Sequence, residues 1–256
     1  MALQKLKFYS LSLVVICLFI SVSTICAETF PQLEIMTEEW TPYNFEKDGV
    51  VQGISTDILV LMLEKVGSTQ GRKDINLYPW ARGYKLLKTK PNTLLYTTSK
   101  TEERENMFKW VGPIFEIDFN LYALKSRKIK INSFEEIKIY KIGTLRDDVV
   151  EEVLVKNAGM KVSDFDRVAA NVFNMKKLAA GRVDLVPQAQ DTTDVECKRL
   201  GLDPNDFEAV FLLHKTSMYY AFNKETPDSV IKTLQTAFDQ LKNEGKLTEI
   251  FHSYGK

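Results

Sequence analysis

The first third of the chain alternates short apolar runs with segments of helical length. Residues 33–36, 75–78 and 93–96 have the length and residue types of buried strands. Between them, residues 57–67 and 79–87 predict helices, the first ended by a glycine and the second begun by a proline. This β-α-β-α order predicts an α/β fold.

A second series of the same kind follows. Residues 140–144 and 183–188 predict strands, and a helix that begins near Asp148 lies between them. Extended segments are predicted at 115–124 and 217–222. From Pro227 onward, apolar residues recur at helical spacing, which predicts a closing helix packed on a core.

Length and charge narrow the class of protein. The 256 residues include 45% hydrophobic residues, and 34 basic side chains balance 34 acidic ones. A core of useful size is therefore available, and the balanced charge gives no basis for binding nucleic acid or a membrane surface.

The first 27 residues have the pattern of a secretory signal peptide. Lys5 and Lys7 precede a short apolar run that ends in small residues, and we predict cleavage after Ala27, which gives a periplasmic or otherwise secreted protein. Lipid attachment at Cys26 is the alternative. Removing the segment leaves Cys197 as a lone cysteine, so no disulfide framework and no metal or redox pairing is expected.

The segment from Tyr96 to Arg104 combines features of an anion site. A buried strand leads into the hydroxyls of Thr97 and Ser99, and Thr101 is a candidate N-cap for a helix that carries Arg104. Hydroxyls and a guanidinium at one strand end suit a carboxylate. The alternative is a capped surface helix with a solvated arginine.

Other candidate binding residues stand in loops and at helix starts. Trp40 and Tyr43 belong to an aromatic loop that either stacks on a planar ligand or forms a small satellite core. Trp80 either faces a cleft or packs. Arg82 is a second possible anion partner or an exposed side chain.

The second series also delivers polar groups to its strand ends. Asp148 is either a helix cap or a carboxylate for a ligand cation, with Arg146 nearby, and Gln188 and Asp191 follow the strand at 183–188. Ligands in open α/β sheets bind at the carboxyl ends of strands, so two such ends that face one another predict a cleft.

Four short motifs in order resemble a known family. They are Trp40-Thr41-Pro42-Tyr43, Thr101-Glu102-Glu103-Arg104, Ala180-Gly181-Arg182-Val183-Asp184 and a closing Phe238-Asp239-Gln240-Leu241-Lys242-Asn243-Glu244-Gly245-Lys246-Leu247. Over residues 33–255 the chain resembles the amino-acid-type periplasmic solute-binding proteins of ABC transporters.

The resemblance implies a two-lobed periplasmic-binding-protein-like (type II) fold, in which each lobe is a mixed sheet flanked by helices. Lobe 1 would comprise residues 28–119 and 220–256 and lobe 2 residues 120–219, with a two-strand hinge near 117–122 and 218–222. It further implies a monomer that hands a small carboxylate-bearing ligand, an amino acid or related organic acid, to an inner-membrane permease. Arg104 would clamp the carboxylate with Ser99 and Thr97, and Trp40 would stack on the ligand.

The chain departs from the family pattern at two places. Ala189 stands where a carboxylate usually holds the ligand's α-amino group, and Arg146-Asp147-Asp148 replaces the usual Thr or Ser with Gly. Either Asp148 or Asp191 meets an amine, or the ligand is a carboxylate without one. Two other functions stay open: an exported enzyme like the cyclohexadienyl dehydratases, with Glu38, Glu39, Asp148 or Asp191 as general acid, and a stand-alone sensor. No cofactor or metal is expected.

Overall fold

The computed structural model describes residues 30–256. The predicted signal peptide, its cleavage point and Cys26 lie outside these residues. The described chain is a mixed α/β structure. Its strands are β1 (Glu34–Thr37), β2 (Phe45–Lys47), β3 (Val50–Gln52), β4 (Ile75–Leu77), β5 (Thr93–Ser99), β6 (Phe108–Leu124), β7 (Gly143–Leu145), β8 (Asp166–Val168), β9 (Val186–Ala189) and β10 (Phe207–Asn223).

Helices cover the faces of the sheet and cap its ends. They are α1 (Ile54–Lys65), α2 (Trp80–Thr89), α3 (Glu102–Glu105), α4 (Phe134–Ile137), α5 (Val149–Ala158), α6 (Asn171–Ala179), α7 (Gln190–Leu200), α8 (Asp228–Asn243) and α9 (Lys246–Ser253).

Two strands of 17 residues each, β6 and β10, organise the main sheet, whose order is β4-β1-β5-β10-β6-β9. They pair with each other in antiparallel fashion, β5 joins the final residues of β10, and β9 joins residues 119–122 of β6. We call the two regions the β5 end and the β9 end. Helices α1, α2, α8 and α9 pack at the β5 end, and α5, α6 and α7 pack at the β9 end.

The predicted hinge segments lie inside β6 and β10, where the chain passes from one end to the other. The lobe boundaries given above remain a prediction.

Strand β5 carries the first polar groups of the site. All seven of its residues are buried, because β1 and β10 flank it. It is parallel to β1, so the carboxyl ends of the two strands meet at one edge of the sheet. A register shift opposite Tyr219 and Tyr220 accompanies a left-handed backbone at Thr97, with φ of 61°. That conformation is strained for a β-branched residue, and backbone strain of this kind is concentrated at functional sites.

Several predicted elements have different extents. The strand predicted at 93–96 continues to Ser99, and the strand predicted at 183–188 is Val186–Ala189. The closing helix divides into α8 and α9 at Gly245, whose φ is 76°. Helix α7 was not predicted, because its sequence is polar and lacks a clear apolar stripe.

Candidate functional site

A cavity lies between the β5 end and the β9 end, and we call it the central cavity. The cavity together with its mouth, which is open to solvent, contains about 480 Å³ of space not filled by protein atoms. The carboxyl ends of β1 and β5 form one side, and the end of β9 with the start of α5 forms the other. Its charged and polar lining residues are Glu38, Thr97, Ser99, Arg104, Asp148, Asn171 and Gln188.

Arg104 is held rigidly at the wall of this cavity. Its residue exposure is only 1%, and Thr101 caps its short helix by accepting a bond from the Arg104 backbone N–H. The guanidinium carbon lies 4.7 Å from the Tyr84 ring centre and 5.7 Å from that of Trp80. Aromatic faces attract the flat cation and fix its orientation.

A side chain from the opposite end of the sheet already binds this arginine. Arg104 Nε and Nη2 donate to the carboxylate of Glu152, on α5, at 2.7–3.1 Å. The third nitrogen, Nη1, is buried and has no partner within the described residues. Arg104 therefore has only the Nη1 amino group left for a ligand, instead of the two-nitrogen fork expected from the sequence.

The hydrogen-bond direction at Thr97 follows from its neighbours. Asn44 donates from Nδ2 to the Glu38 carbonyl at 2.7 Å, which makes its Oδ1 the acceptor for the Thr97 hydroxyl at 2.5 Å. The hydroxyl has thus used its only hydrogen, and it presents lone pairs to any further partner. Ser99 pairs with the Thr216 hydroxyl at 2.6 Å.

Two carboxylates face the cavity from opposite sides. Glu38 follows β1, and Asp148 caps α5 by accepting from the Val150 N–H at 3.1 Å. Burial raises the pKa of Asp148 from 3.8 to about 6, against the opposing effect of Arg104. Burial, followed by the charge of Asp148, raises the pKa of Glu38 well above 4.5. Two roles were predicted for Asp148, helix cap and ligand carboxylate; the structure confirms the cap and is compatible with the second role.

Aromatic rings form the apolar walls. Trp40 stacks on Phe119 with ring centres 5.9 Å apart, and Trp80 stacks on Tyr84 at 5.5 Å. Both indole N–H groups bond away to the β9 end, from Trp40 to Thr192 Oγ1 at 2.8 Å and from Trp80 to the Asp147 carbonyl at 2.9 Å. The rings therefore offer the cavity only carbon surfaces.

Gln188 is the other buried donor. It lies on β9, is 1% exposed, and its Nε2 has no partner within residues 30–256. An unpaired buried donor costs free energy, so this group and Arg104 Nη1 call for an acceptor in the cavity.

Three predicted site residues do not line the central cavity. Tyr43 stacks on Phe115 at 4.1 Å and donates to Asp191 at 2.5 Å. Asp191 also accepts from Lys256 at 2.7 Å, because it belongs to the first turn of α7 and points away from the strand end. The guanidinium of Arg82 covers the Tyr78 ring at 3.9 Å on the exposed side of α2, and Arg146 is likewise exposed.

Two acidic residues of the site, Glu152 and Glu38, were not predicted from the sequence as ligand-binding residues. Glu152 follows Asp148 by four residues, a spacing that places both on one face of α5, and this signal was available. Glu38 entered only as one of four possible general acids. The apolar lining residues Phe119, Leu145, Val149, Val150, Pro187 and Met218 come from five separate segments, and no local pattern brings them together.

Within residues 30–256, no cluster of three or more potential metal-ligating side chains occurs. None of the described helices is long and apolar enough to span a bilayer.

Comparisons with known proteins agree with this arrangement. The fold is that of the periplasmic binding proteins. A histidine kinase sensor domain similar to periplasmic binding proteins superimposes with a TM-score of 0.77 at 16% identity, covering 88% of this chain and 96% of that one.

Two binding proteins superimpose nearly as well. The arginine-, lysine-, histidine-binding protein ArtJ from Geobacillus stearothermophilus gives a TM-score of 0.70 at 18% identity, covering 88% and 96%. An ABC uptake transporter substrate-binding protein from Streptococcus pneumoniae with bound histidine gives 0.71 at 18%, covering 87% and 92%. At these identities the likeness concerns the fold.

The family assignment comes from the sequence itself. Residues 33–256 match the model of the bacterial extracellular solute-binding proteins, family 3, and the chain belongs to that family. No curated protein matches the chain.

Proposed function

We propose that this protein captures a small solute in the central cavity and delivers it to an ABC permease. Family membership supports the solute-binding role and the permease partner. An exported location follows from the predicted signal peptide, and we propose that the protein acts there as a monomer.

The observation that carries the proposal is a pair of buried donors that find no partner among residues 30–256. The donors are Arg104 Nη1 and Gln188 Nε2; both residues line the central cavity and are 1% exposed. Buried donors are nearly always satisfied in folded proteins, so a ligand acceptor is their natural complement. Arg104, Gln188, Thr97, Ser99, Trp40, Trp80 and Asp148 are the proposed ligand-binding residues.

The solute's acceptor is either the carboxylate expected from the sequence or a neutral oxygen. Both accept from Arg104 Nη1 and Gln188 Nε2. A carboxylate that took the full fork of Arg104 would have to displace Glu152, whose side chain is 34% exposed and reaches water beyond the pair.

A thermal-shift screen of the mature chain tests this function. The library contains amino acids, amino-acid amides, amines, keto acids, dicarboxylates and aromatic acids. A solute that binds only the folded state raises the unfolding midpoint. At one hundred times its Kd it adds about 2.7 kcal/mol to the free energy of unfolding. At least one hit is expected, and Gln188→Ala should weaken it. A screen with no hit contradicts the proposal.

An enzyme on the same scaffold is the second candidate. The raised pKa of Asp148, about 6, leaves a protonated fraction near neutral pH, as a general acid requires. Such a carboxyl would protonate a leaving hydroxyl, which departs as water. Incubation of each hit with the protein, followed by mass spectrometry, separates the functions: a binding protein returns the solute unchanged.

A further inference from the structure

We propose that the solute is a small cationic amine that carries a neutral hydrogen-bond acceptor, and that free acids are poor ligands. This inference rests on the proposed function and names the solute class of the same cavity. It departs from the carboxylate expected from the sequence.

The first step is the charge of Arg104. Its pairing with Glu152 through Nε and Nη2 neutralises the only cation that lines the cavity among residues 30–256. Arg104 is buried and Glu152 is 34% exposed, so water screens the pair from the glutamate side only. An entering carboxylate therefore gains little from a guanidinium that already has a counter-ion.

The second step is the charge that remains. Glu38 and Asp148 face the cavity from opposite ends of the sheet, and neither takes part in a salt bridge within the described residues. A carboxylate ligand would bring a third acidic group beside them and disfavour their charged forms further, whereas an ammonium group would favour those charged forms and pair with one or both. Like charges in one site are unfavourable, and opposite charges stabilise each other.

The third step concerns hydrogen-bond polarity. Thr97 donates to Asn44 and can only accept from a ligand, as the orientation of the Asn44 amide dictates. Glu38 and Asp148 supply further acceptors, and the indole N–H groups of Trp40 and Trp80 are occupied elsewhere. Thr97 and the two carboxylates thus form the half of the lining that suits an ammonium group.

The aromatic walls support the same assignment. Trp40, Trp80 and Phe119 present ring surfaces to the cavity, and aromatic rings attract alkylammonium groups. The donors Arg104 Nη1 and Gln188 Nε2 then meet the ligand's neutral acceptor, such as an amide or hydroxyl oxygen.

Matched probes that differ only in charge test the inference. For alanine, leucine and phenylalanine, calorimetry compares the amino-acid amide, the free amino acid and the deaminated acid. The expected order is amide first, amino acid second and acid last, with at least about tenfold between amide and acid. An acid that binds as tightly as its amide overturns the inference and leaves the proposed function standing.

Two variants check the physical cause. Glu152→Gln releases the charge of Arg104 and is expected to raise the acid-to-amide affinity ratio about tenfold or more. Asp148→Asn keeps the helix cap, because asparagine caps as well as aspartate, and it should lower amide affinity selectively. Glu103→Gln is the control, since Glu103 pairs with Lys156 outside the cavity.

The thermal-shift screen distinguishes a failure of the cationic assignment from a failure of the proposed solute-binding function. Hits drawn only from compounds without an amine contradict the cationic assignment alone. No hit in any class contradicts solute binding itself. Unchanged ratios in both Glu152→Gln and Asp148→Asn, with melting curves that show folded protein, also overturn the charge argument.

Discussion

At the scale of single residues, the site contains polar groups whose burial costs free energy unless a ligand pairs with them. Arg104 Nη1 and Gln188 Nε2 lack partners in the part of the chain that the structure describes, and Asp148 and Glu38 have raised pKa values because burial disfavours their charges. A ligand that satisfies such groups gains the free energy that the empty fold forgoes. Unpaired and desolvated polar groups thus distinguish the cavity at the level of single residues.

Asp148→Asn should stabilise the empty protein in a pH-dependent way. The pKa of Asp148 rises from 3.8 in the unfolded chain to about 6 in the fold, so the folded state holds its proton longer. Wild-type stability therefore falls as the pH rises from about 4 to about 6, and the asparagine variant escapes this loss of about 3 kcal/mol.

Urea unfolding of both proteins at pH 4 to 8 measures this difference. Glu38, Glu151, Glu152 and Arg104 also act on Asp148, so the difference between the two proteins is the informative quantity. It should be near zero at pH 4 and reach its plateau above pH 6. A constant difference would show that the charge of Asp148 is not the cause.

Residue types in the sequence predicted much of this site, but they did not predict which side chains pair with one another. Thr97, Ser99 and Arg104 were predicted because strand, cap and guanidinium are adjacent in the chain. The pairing of Arg104 with Glu152 joins residues 48 positions apart, and only the approach of the β9 end, which carries α5, to the β5 end brings them together. Asp191 was misplaced because the start of α7 at Gln190 turns it toward Tyr43.

At the scale of elements, turn geometry positions the aromatic loop that carries Trp40. Gly53 precedes α1 with φ of 122°, and a Cβ there would lie 2.5 Å from the Tyr43 carbonyl oxygen. Only glycine fits this position without displacing the loop. The loop's place in the site therefore depends on a residue that never touches the cavity.

Gly53→Ala is expected to lower the free energy of unfolding by at least about 2 kcal/mol, through backbone strain and the clash with Tyr43. Chemical denaturation measures the loss. Gly71→Ala is the matched control, because Gly71 has extended backbone and no atom within 4 Å of the added carbon. Equal effects of the two substitutions would contradict the account of Gly53.

The sequence predicted elements with strong apolar patterns and missed those defined by contacts. Buried runs gave β1, β4 and β5, and the apolar stripe gave α8 with its break at Gly245. The sequence of α7 shows few apolar positions, although Gly201, with φ of 67°, ends it in the usual way. The full length of β6 and β10 comes from their mutual pairing, which no local pattern encodes.

At the scale of the whole molecule, contacts across the cavity hold the two ends of the sheet together. They include the Arg104–Glu152 pair, the Trp40–Thr192 bond and the Tyr43–Asp191 bond. A solute enclosed between the ends binds while these contacts are formed, so its measured affinity depends on them. Weakening one of them should therefore lower solute affinity, because the arrangement in which the two ends lie together becomes less populated.

Thr192→Val should reduce the affinity for a screen hit by about tenfold. Valine keeps the shape of the buried side chain but leaves the Trp40 indole N–H without its acceptor when the ends are together, at a cost of about 1–3 kcal/mol. Calorimetry gives the change. Thr193→Val is the control, because the Thr193 hydroxyl bonds to Ala189 at the same end of the sheet; an equal loss in both variants would refute the cross-cavity explanation.

The most direct test of the account is a crystal structure of the protein with the tightest ligand from the screen. We predict the solute inside the central cavity, with an oxygen within hydrogen-bond distance of Arg104 Nη1 or Gln188 Nε2, and a nitrogen near Glu38, Asp148 or Thr97. A solute bound on another surface, with the central cavity unchanged, would contradict the account.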